Sequence, residues 1–275
     1  MPTIVSLTAI PPRFRHLGPV LECLTAQTAK IDEIRLYVPK RFRRFPEYAG
    51  EMPDVPKGVR VIQTDDDLGP ASKVLFAVDD LRGSDCNIVY CDDDMLYEPT
   101  RFARMIEAGL QHPDACISPA GIDVGGRASG NLPRALPAQK NLSYRARRVL
   151  QIGMEVIARK SRPKPPFPHV AKSGYVDIAR GWGSVLVKPH FFSREVFEIP
   201  EVLWSVDDYW LSGDMARNNV LIWAPAAIPK PRYAKGRDVE SLIDATIDGH
   251  DRDAANALCI KYMQDKYGVW ANPVA

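Results

Sequence analysis

Asn87-Ile-Val-Tyr-Cys-Asp-Asp-Asp-Met-Leu-Tyr97 is the stretch on which the reading of the fold turns. A short apolar run, Ile88 to Cys91, reads as a buried strand. It runs straight into Asp92, Asp93 and Asp94. Three adjacent carboxylates repel one another and are costly to bury without counter-charge. They belong at the mouth of a sheet, around a cation. Side chains on extended backbone alternate, so Asp92 and Asp94 are expected on one side and Asp93 on the other. Two hard oxygen ligands on one side suit Mg²⁺ or Mn²⁺, with water and phosphate completing the shell. The same trio also fits a solvated acidic turn or a helix N-cap cluster.

Outward from that strand the chain alternates. Residues 3–10 read as a strand stopped by Pro11-Pro12, and Leu17, Val20, Leu21 and Leu24 then recur at helical spacing. Residues 31–38 form a second strand, 40–58 a basic, proline-bearing loop, and Val59–Ile62 a third strand. Asp65–Asp67 and Leu68-Gly69-Pro70 precede a helix beginning near Ser72, with Val74, Leu75, Val78 and Leu81 on one face. After the acidic trio, Pro99 opens a helix with Phe102, Met105, Ile106 and Leu110 inward. Ala115–Ser118 is a further strand. Alternation of this kind predicts an α/β fold: a Rossmann-like, mostly parallel sheet flanked by helices. Ligands of such sheets bind beyond the carboxyl ends of the strands. The Thr8–Arg13 loop, the Asp65–Lys73 loop and Asp92–Asp94 all converge on that edge.

The totals exclude several classes. The chain has 275 residues, 45% hydrophobic and 25% charged, with a net charge of +2. That balance is ordinary for a globular protein, and no global basic field argues for nucleic acid. No apolar run approaches the length of a membrane span. The N-terminus reads as a first strand rather than a signal peptide. Cys23, Cys86, Cys91, Cys116 and Cys259 form no CxxC pair, which suggests a reducing cytoplasm.

Residues 120–180 change character. They hold twelve Lys and Arg against three acids, and six prolines. Within them Val149, Ile152, Val156 and Ile157 make a helical stripe flanked by basic residues. Such a helix either packs on the core or makes peripheral contact with an anionic membrane. The expected organisation is one domain: 1–119 as a first half, 120–180 as a basic, proline-rich insertion or lid, and 181–275 as a second half with a C-terminal helix.

A divalent ion on Asp92 and Asp94 can clamp a diphosphate and stabilise it as a leaving group. Lys73 and Arg13 can add positive charge to the same group. Asp207-Asp208 supplies a second acidic site, able to take the proton of an acceptor hydroxyl or simply to open a helix. Trp204, Tyr209 and Trp210 beside it, and Trp182 between two glycines, offer faces on which sugars stack. His250 could complete a metal shell, favouring Mn²⁺, or be an ordinary surface histidine.

Together, Ser6-Leu-Thr-Ala-Ile-Pro-Pro-Arg13, Asp67-Leu-Gly-Pro-Ala-Ser-Lys73, the DxD-type Asp92-Asp93-Asp94, Gly181-Trp-Gly183, Asp207-Asp208 and Tyr267-Gly-Val-Trp270 resemble the GT-A glycosyltransferases, and among them family-2-like bacterial enzymes. The resemblance implies a nucleotide-sugar donor (a UDP-sugar favoured), Mn²⁺ or Mg²⁺, and transfer to a hydroxyl of a glycan or glycolipid in surface polysaccharide synthesis. By it, Asp92 and Asp94 hold the metal, with His250 the C-terminal candidate for a third ligand. Thr8, Ala9, Arg13, Asp66, Lys73, Asp92 and Asp93 bind the donor. Asp207 or Asp208 is the catalytic base of an inverting enzyme, and Trp182, Gly183, Trp204 and Tyr209 meet the acceptor. The rivals are a phosphohydrolase with an Asp nucleophile, for which Met95-Leu-Tyr97 is the wrong turn, and a metal- or sugar-binding module without catalysis.

Overall fold

The computed structural model describes residues 1–125, 132–158, 167–240, 249 and 251–271, with the side chains of 156–158 outside that description. The chain order of the main elements is β1 (Thr3–Thr8), α1 (Gly18–Thr25), β2 (Glu33–Pro39), β3 (Val59–Thr64), α2 (Ser72–Asp80), β4 (Asn87–Tyr90), α3 (Arg101–Gln111), β5 (Ala115–Ile117), α4 (Leu142–Ala158), β6 (Gly174–Val176), β7 (Val185–Val187), α5 (Asp207–Arg217), β8 (Leu221–Ala224) and α6 (Arg252–Tyr267). The eight strands make one sheet in the order β6-β8-β5-β7-β4-β1-β2-β3.

The pairings β1/β2, β2/β3, β1/β4 and β5/β8 are parallel, as crossover helices require. β7 runs antiparallel between β4 and β5, and β6 antiparallel along β8. Alternation along the strands sends side chains to two cores. Ile88, Tyr90, Val185 and Val187 meet α2 and α5 on one face. Val89, Leu186, Leu7 and Leu36 meet α1 and α3 on the other. Strands this apolar on both faces are what a covered sheet demands.

Three expectations change. β4 ends at Tyr90 and the chain turns at Asp93-Asp94, so strict alternation stops before the acidic trio. In α3, Phe102 and Met105 are buried, but Leu110 is 76% exposed and Arg101 only 1%. Arg101 is buried because carbonyls receive it: its Nε donates to Gly183 O and Ser184 Oγ, and its Nη1 to Pro229 O. Residues 120–180 are not wholly peripheral, since Gly174–Val176 is an edge strand of the main sheet.

Candidate active site

The pocket opens at the carboxyl ends of β1 and β4, with a cavity volume of about 520 Å³. That size suits a small-molecule ligand. Its floor is built by three turns. The tight Gly69-Pro70-Ala71 turn precedes α2 and delivers Lys73 from that helix's first turn. Gly69 sits at φ +59, and a Cβ there would meet the Trp204 ring and carbonyl at 2.8 Å. The second is the Asp93-Asp94 turn after β4. The third is Gly181-Trp182-Gly183, where a Cβ on Gly181 would lie 2.5 Å from Lys73 Nζ. These glycines are therefore steric requirements of the floor.

Lys73 organises the centre. Its Nζ lies 2.6 Å from Asp92 Oδ1 and 2.6 Å from Asp207 Oδ2. Burial pulls the ammonium's pKa down, but Asp207, Asp92 and Asp208 outweigh it and hold it well above the ordinary lysine value. Burial alone would raise the Asp207 carboxyl; Lys73, then Arg252, reverse that and keep it low. Asp208, its neighbour at the start of α5, behaves differently. Its Oδ1 accepts from the Gly181 N–H at 2.8 Å and its Oδ2 lies 3.3 Å from Arg180 Nε. Burial, and next the charge of Asp207, push its pKa up to about 6 against Lys73 and Arg180. Two adjacent carboxylates are thus driven apart by environment, one a fixed anion and one poised near neutrality.

Across the pocket Arg13 Nη1 donates to Asp93 Oδ1 at 2.7 Å and to Asp94 Oδ2 at 3.2 Å. Asp93 and Asp94 therefore share a partner, whereas Asp92 turns to Lys73. Burial, then the charges of Asp92 and Asp93, raise Asp94 to about 7. Burial likewise raises Asp93, against Arg13.

Among the described residues no three side chains form a ready-made metal shell. The fit to a divalent cation rests on charge. Five carboxylates on the floor (Asp92, Asp93, Asp94, Asp207, Asp208) are in ion-pair contact with three cations, Arg13, Lys73 and Arg180. Two more carboxylates than cations are in contact on the floor, which leaves negative charge for a bound cation to meet. The oxygen donors are of the hard kind that Mg²⁺ and Mn²⁺ take. Arg44, Lys230, Arg237 and Arg252 line the rest of the cavity, so an acidic floor lies under a basic rim.

Of the residues singled out from sequence, Thr8, Ala9, Arg13, Lys73, Asp92, Asp93, Asp94, Trp182, Trp204, Asp207 and Asp208 all line this cavity. Asp66 does not. It is exposed, and Asp67 takes the wall instead, accepting from Gly69 N and Arg43 N at 2.8 Å each. Tyr209, on α5, is buried in the core, and Gly183 is packed on Ala120. His250 lies outside the described residues. The residues missed were Arg180, Arg44, Lys230, Tyr233, Arg237, Glu240 and Arg252. Only Arg180, directly before Gly181-Trp182-Gly183, carried a signal that could have been used. Arg252 opens α6 and Tyr233 belongs to the short strand Arg232–Tyr233; the rest reach the pocket from loops with no periodicity.

No protein-family model and no curated protein matches the chain. Solved structures do. A structure of GalNAc-T7 with UDP, GalNAc and Mn²⁺ is 13% identical, with a TM-score of 0.52, over 98% of this chain and 49% of that one. The chain thus spans about half the length of GalNAc-T7. A mycobacterial protein is 12% identical over 100% of this chain and 76% of its own, with a TM-score of 0.46. The mixed α/β sheet flanked by helices is similar to that of a GT-A glycosyltransferase.

Proposed function

We propose that the chain is a metal-dependent glycosyltransferase, moving a sugar from a nucleotide-sugar donor, a UDP-sugar favoured, to a hydroxyl of a glycan or glycolipid. The observation that carries this is the juxtaposition, in a GT-A-type fold, of an under-neutralised aspartate trio with a second aspartate pair across one cavity. Mn²⁺ or Mg²⁺ held by Asp92 and Asp94 would neutralise the donor's diphosphate. This chain's own residues do the rest. Lys73 and Arg13 place positive charge beside the trio. Arg44, Arg237 and Arg252 on the rim draw in the anionic donor. Asp208, near neutrality and fixed by Gly181 N–H and Arg180, takes the proton from the acceptor hydroxyl as that oxygen attacks. Trp182 and Trp204 present ring faces to sugar. Asp207 stays ionised and keeps Lys73 in place. The five unpaired cysteines support a reducing, cytoplasmic setting.

A second reading has its own observation. Arg13 and Lys73 already pair with every member of the trio, as a metal-free binding module would require. A thermal-shift screen separates the two. UDP, GDP, CMP and their sugars are each tested with Mn²⁺, Mg²⁺ or chelator, on wild type and Asp94→Ala. A metal-dependent rise with one nucleotide, lost in Asp94→Ala, supports the transferase, since a ligand bound only by the native state raises Tm. Asp208→Asn should then keep the shift and lose turnover by roughly 10²–10⁴-fold. A shift indifferent to metal and no turnover supports the module. No shift with any nucleotide removes both donor readings and leaves the phosphohydrolase to be assayed.

A further inference from the structure

α4 is built inside out. Its inward face is Tyr144, Arg148, Gln151 and Glu155, and Tyr144 and Gln151 are each 8% exposed. Gln151 Nε2 donates to Glu155 Oε1 at 2.7 Å, and Arg148 pairs with the same oxygen at 3.3 Å. The apolar side chains point the other way: Leu142 is 82% exposed, Val149 and Leu150 68%, Met154 48% and Ile152 45%. A water-facing helix normally buries such residues and exposes the polar ones. Here Tyr144 and Gln151 are the buried side chains, so the helix packs on the protein through its polar face and leaves the apolar residues facing out. A contiguous apolar stripe held outward in this way marks an interaction surface.

Charge selects the occupant. Arg145 and Arg147 are exposed on α4, and Lys140 and Lys172 are exposed close by in the chain and across the Leu136–Pro137/Val170–Lys172 ribbon. Glu155 is the one acid in Leu142–Ala158, and it faces inward. An outward apolar stripe edged by arginines, with no outward acid, complements a surface that is apolar below and anionic above. Among the described residues no helix is long and apolar enough to cross a membrane, so the match is to lying on one. The start of α4 is tied to the rim of the cavity. The Tyr144 ring is 4.9 Å from Phe167, whose carbonyl accepts the N–H of Lys230, and the Lys230 ammonium lies 5.8 Å from the Trp182 ring.

We propose that the outward face of α4 docks on an anionic lipid bilayer surface, Leu142, Val149, Leu150, Ile152 and Met154 entering the interface while Arg145 and Arg147 pair with lipid headgroups. The inference is independent of the transferase reading and is tested without donor or metal.

The full chain is sedimented with phosphatidylcholine vesicles containing or lacking phosphatidylglycerol, at low and high salt with chelator present. Retention is expected on the anionic vesicles at low salt, weakened by salt. Arg145→Ala with Arg147→Ala should lower partitioning roughly tenfold or more, since each basic residue near such a surface is worth about a kilocalorie per mole. Val149→Glu with Leu150→Glu should abolish it. These side chains are exposed, so the melting temperature should hold. Leu110→Glu, an exposed apolar position on another helix, should bind as wild type. No retention on anionic vesicles, or equal retention on neutral ones, overturns the proposal. So does a concentration-dependent dimer, without vesicle binding, that Val149→Glu with Leu150→Glu dissociates; a second copy would then be the occupant.

Discussion

Lys73→Met tests the centre of the candidate site directly. The substitution keeps an unbranched stem of similar length and removes one ammonium from between Asp92 and Asp207. Each 2.6 Å contact is worth ~6 kcal/mol of Coulomb attraction at an effective dielectric of 20, much of it offset by desolvation. Removing one partner of a buried pair leaves the other charge stranded and costs about 3–5 kcal/mol. For a chain of this size that corresponds to a fall in Tm of roughly 6–20 °C.

The loss should also carry a pH signature. In the wild type Lys73 holds Asp207 below its ordinary pKa. Its contribution to stability is therefore present above the unfolded value and lost as pH falls through the folded one. In the variant burial is opposed only by Arg252 and a backbone hydrogen bond, so the folded pKa of Asp207 is expected to rise above the unfolded value. The destabilisation then grows as pH rises, and acid relieves it by up to about 1.4 kcal/mol per pH unit for each proton taken up. Urea unfolding near pH 5.5 and near pH 7.5, with chelator, reads both terms. A loss below about 1 kcal/mol near pH 7.5, or a loss that deepens as pH falls, would refute the buried charge bridge.

Other consequences follow from the same geometry. Because burial and its neighbours raise Asp94 to about 7, a proton competes with the metal; Mn²⁺ affinity by calorimetry should fall about tenfold per pH unit below that value and level off above it. In metal-free protein the same raised pKa makes the Asp94 contribution to stability fall as pH climbs from the unfolded carboxyl value towards 7, and saturating Mn²⁺ should flatten that decline in thermal melts. Arg101→Leu removes the guanidinium donor from the Pro229 carbonyl and leaves the Gly183 carbonyl only Ser184 Oγ, and denaturant unfolding should show a loss of roughly 2–5 kcal/mol, with acceptor KM rising as Trp182 loosens. Gly69→Ala puts a side chain at φ +59 against Trp204; it should lose roughly 1–3 kcal/mol and quench or shift Trp204 fluorescence.

Much of the architecture was readable in one dimension. Strand periodicity placed β1 to β5, α1 to α3 and the edge where Thr8, Lys73 and the aspartates meet, because parallel α/β connections are local and leave their turns at one end of the sheet. Two things resisted. β7 enters antiparallel between β4 and β5 after an excursion of more than sixty residues, and three apolar residues carry no signal of their partners. Arg101 reads as a solvent-facing helix residue, yet it is buried because Gly183, Ser184 and Pro229 bring carbonyl and hydroxyl oxygens to it.

The amino-acid order by itself brought the aspartate trio, Arg13 and Lys73 to one edge of the sheet, since each follows a parallel strand at its carboxyl end. Tertiary structure alone decided their states. Which aspartate Lys73 pins, which one burial lifts towards neutrality, and which face of α4 meets water all depend on groups far apart in the chain. Electrostatic energies fall with distance in space, and separation along the sequence does not report that distance.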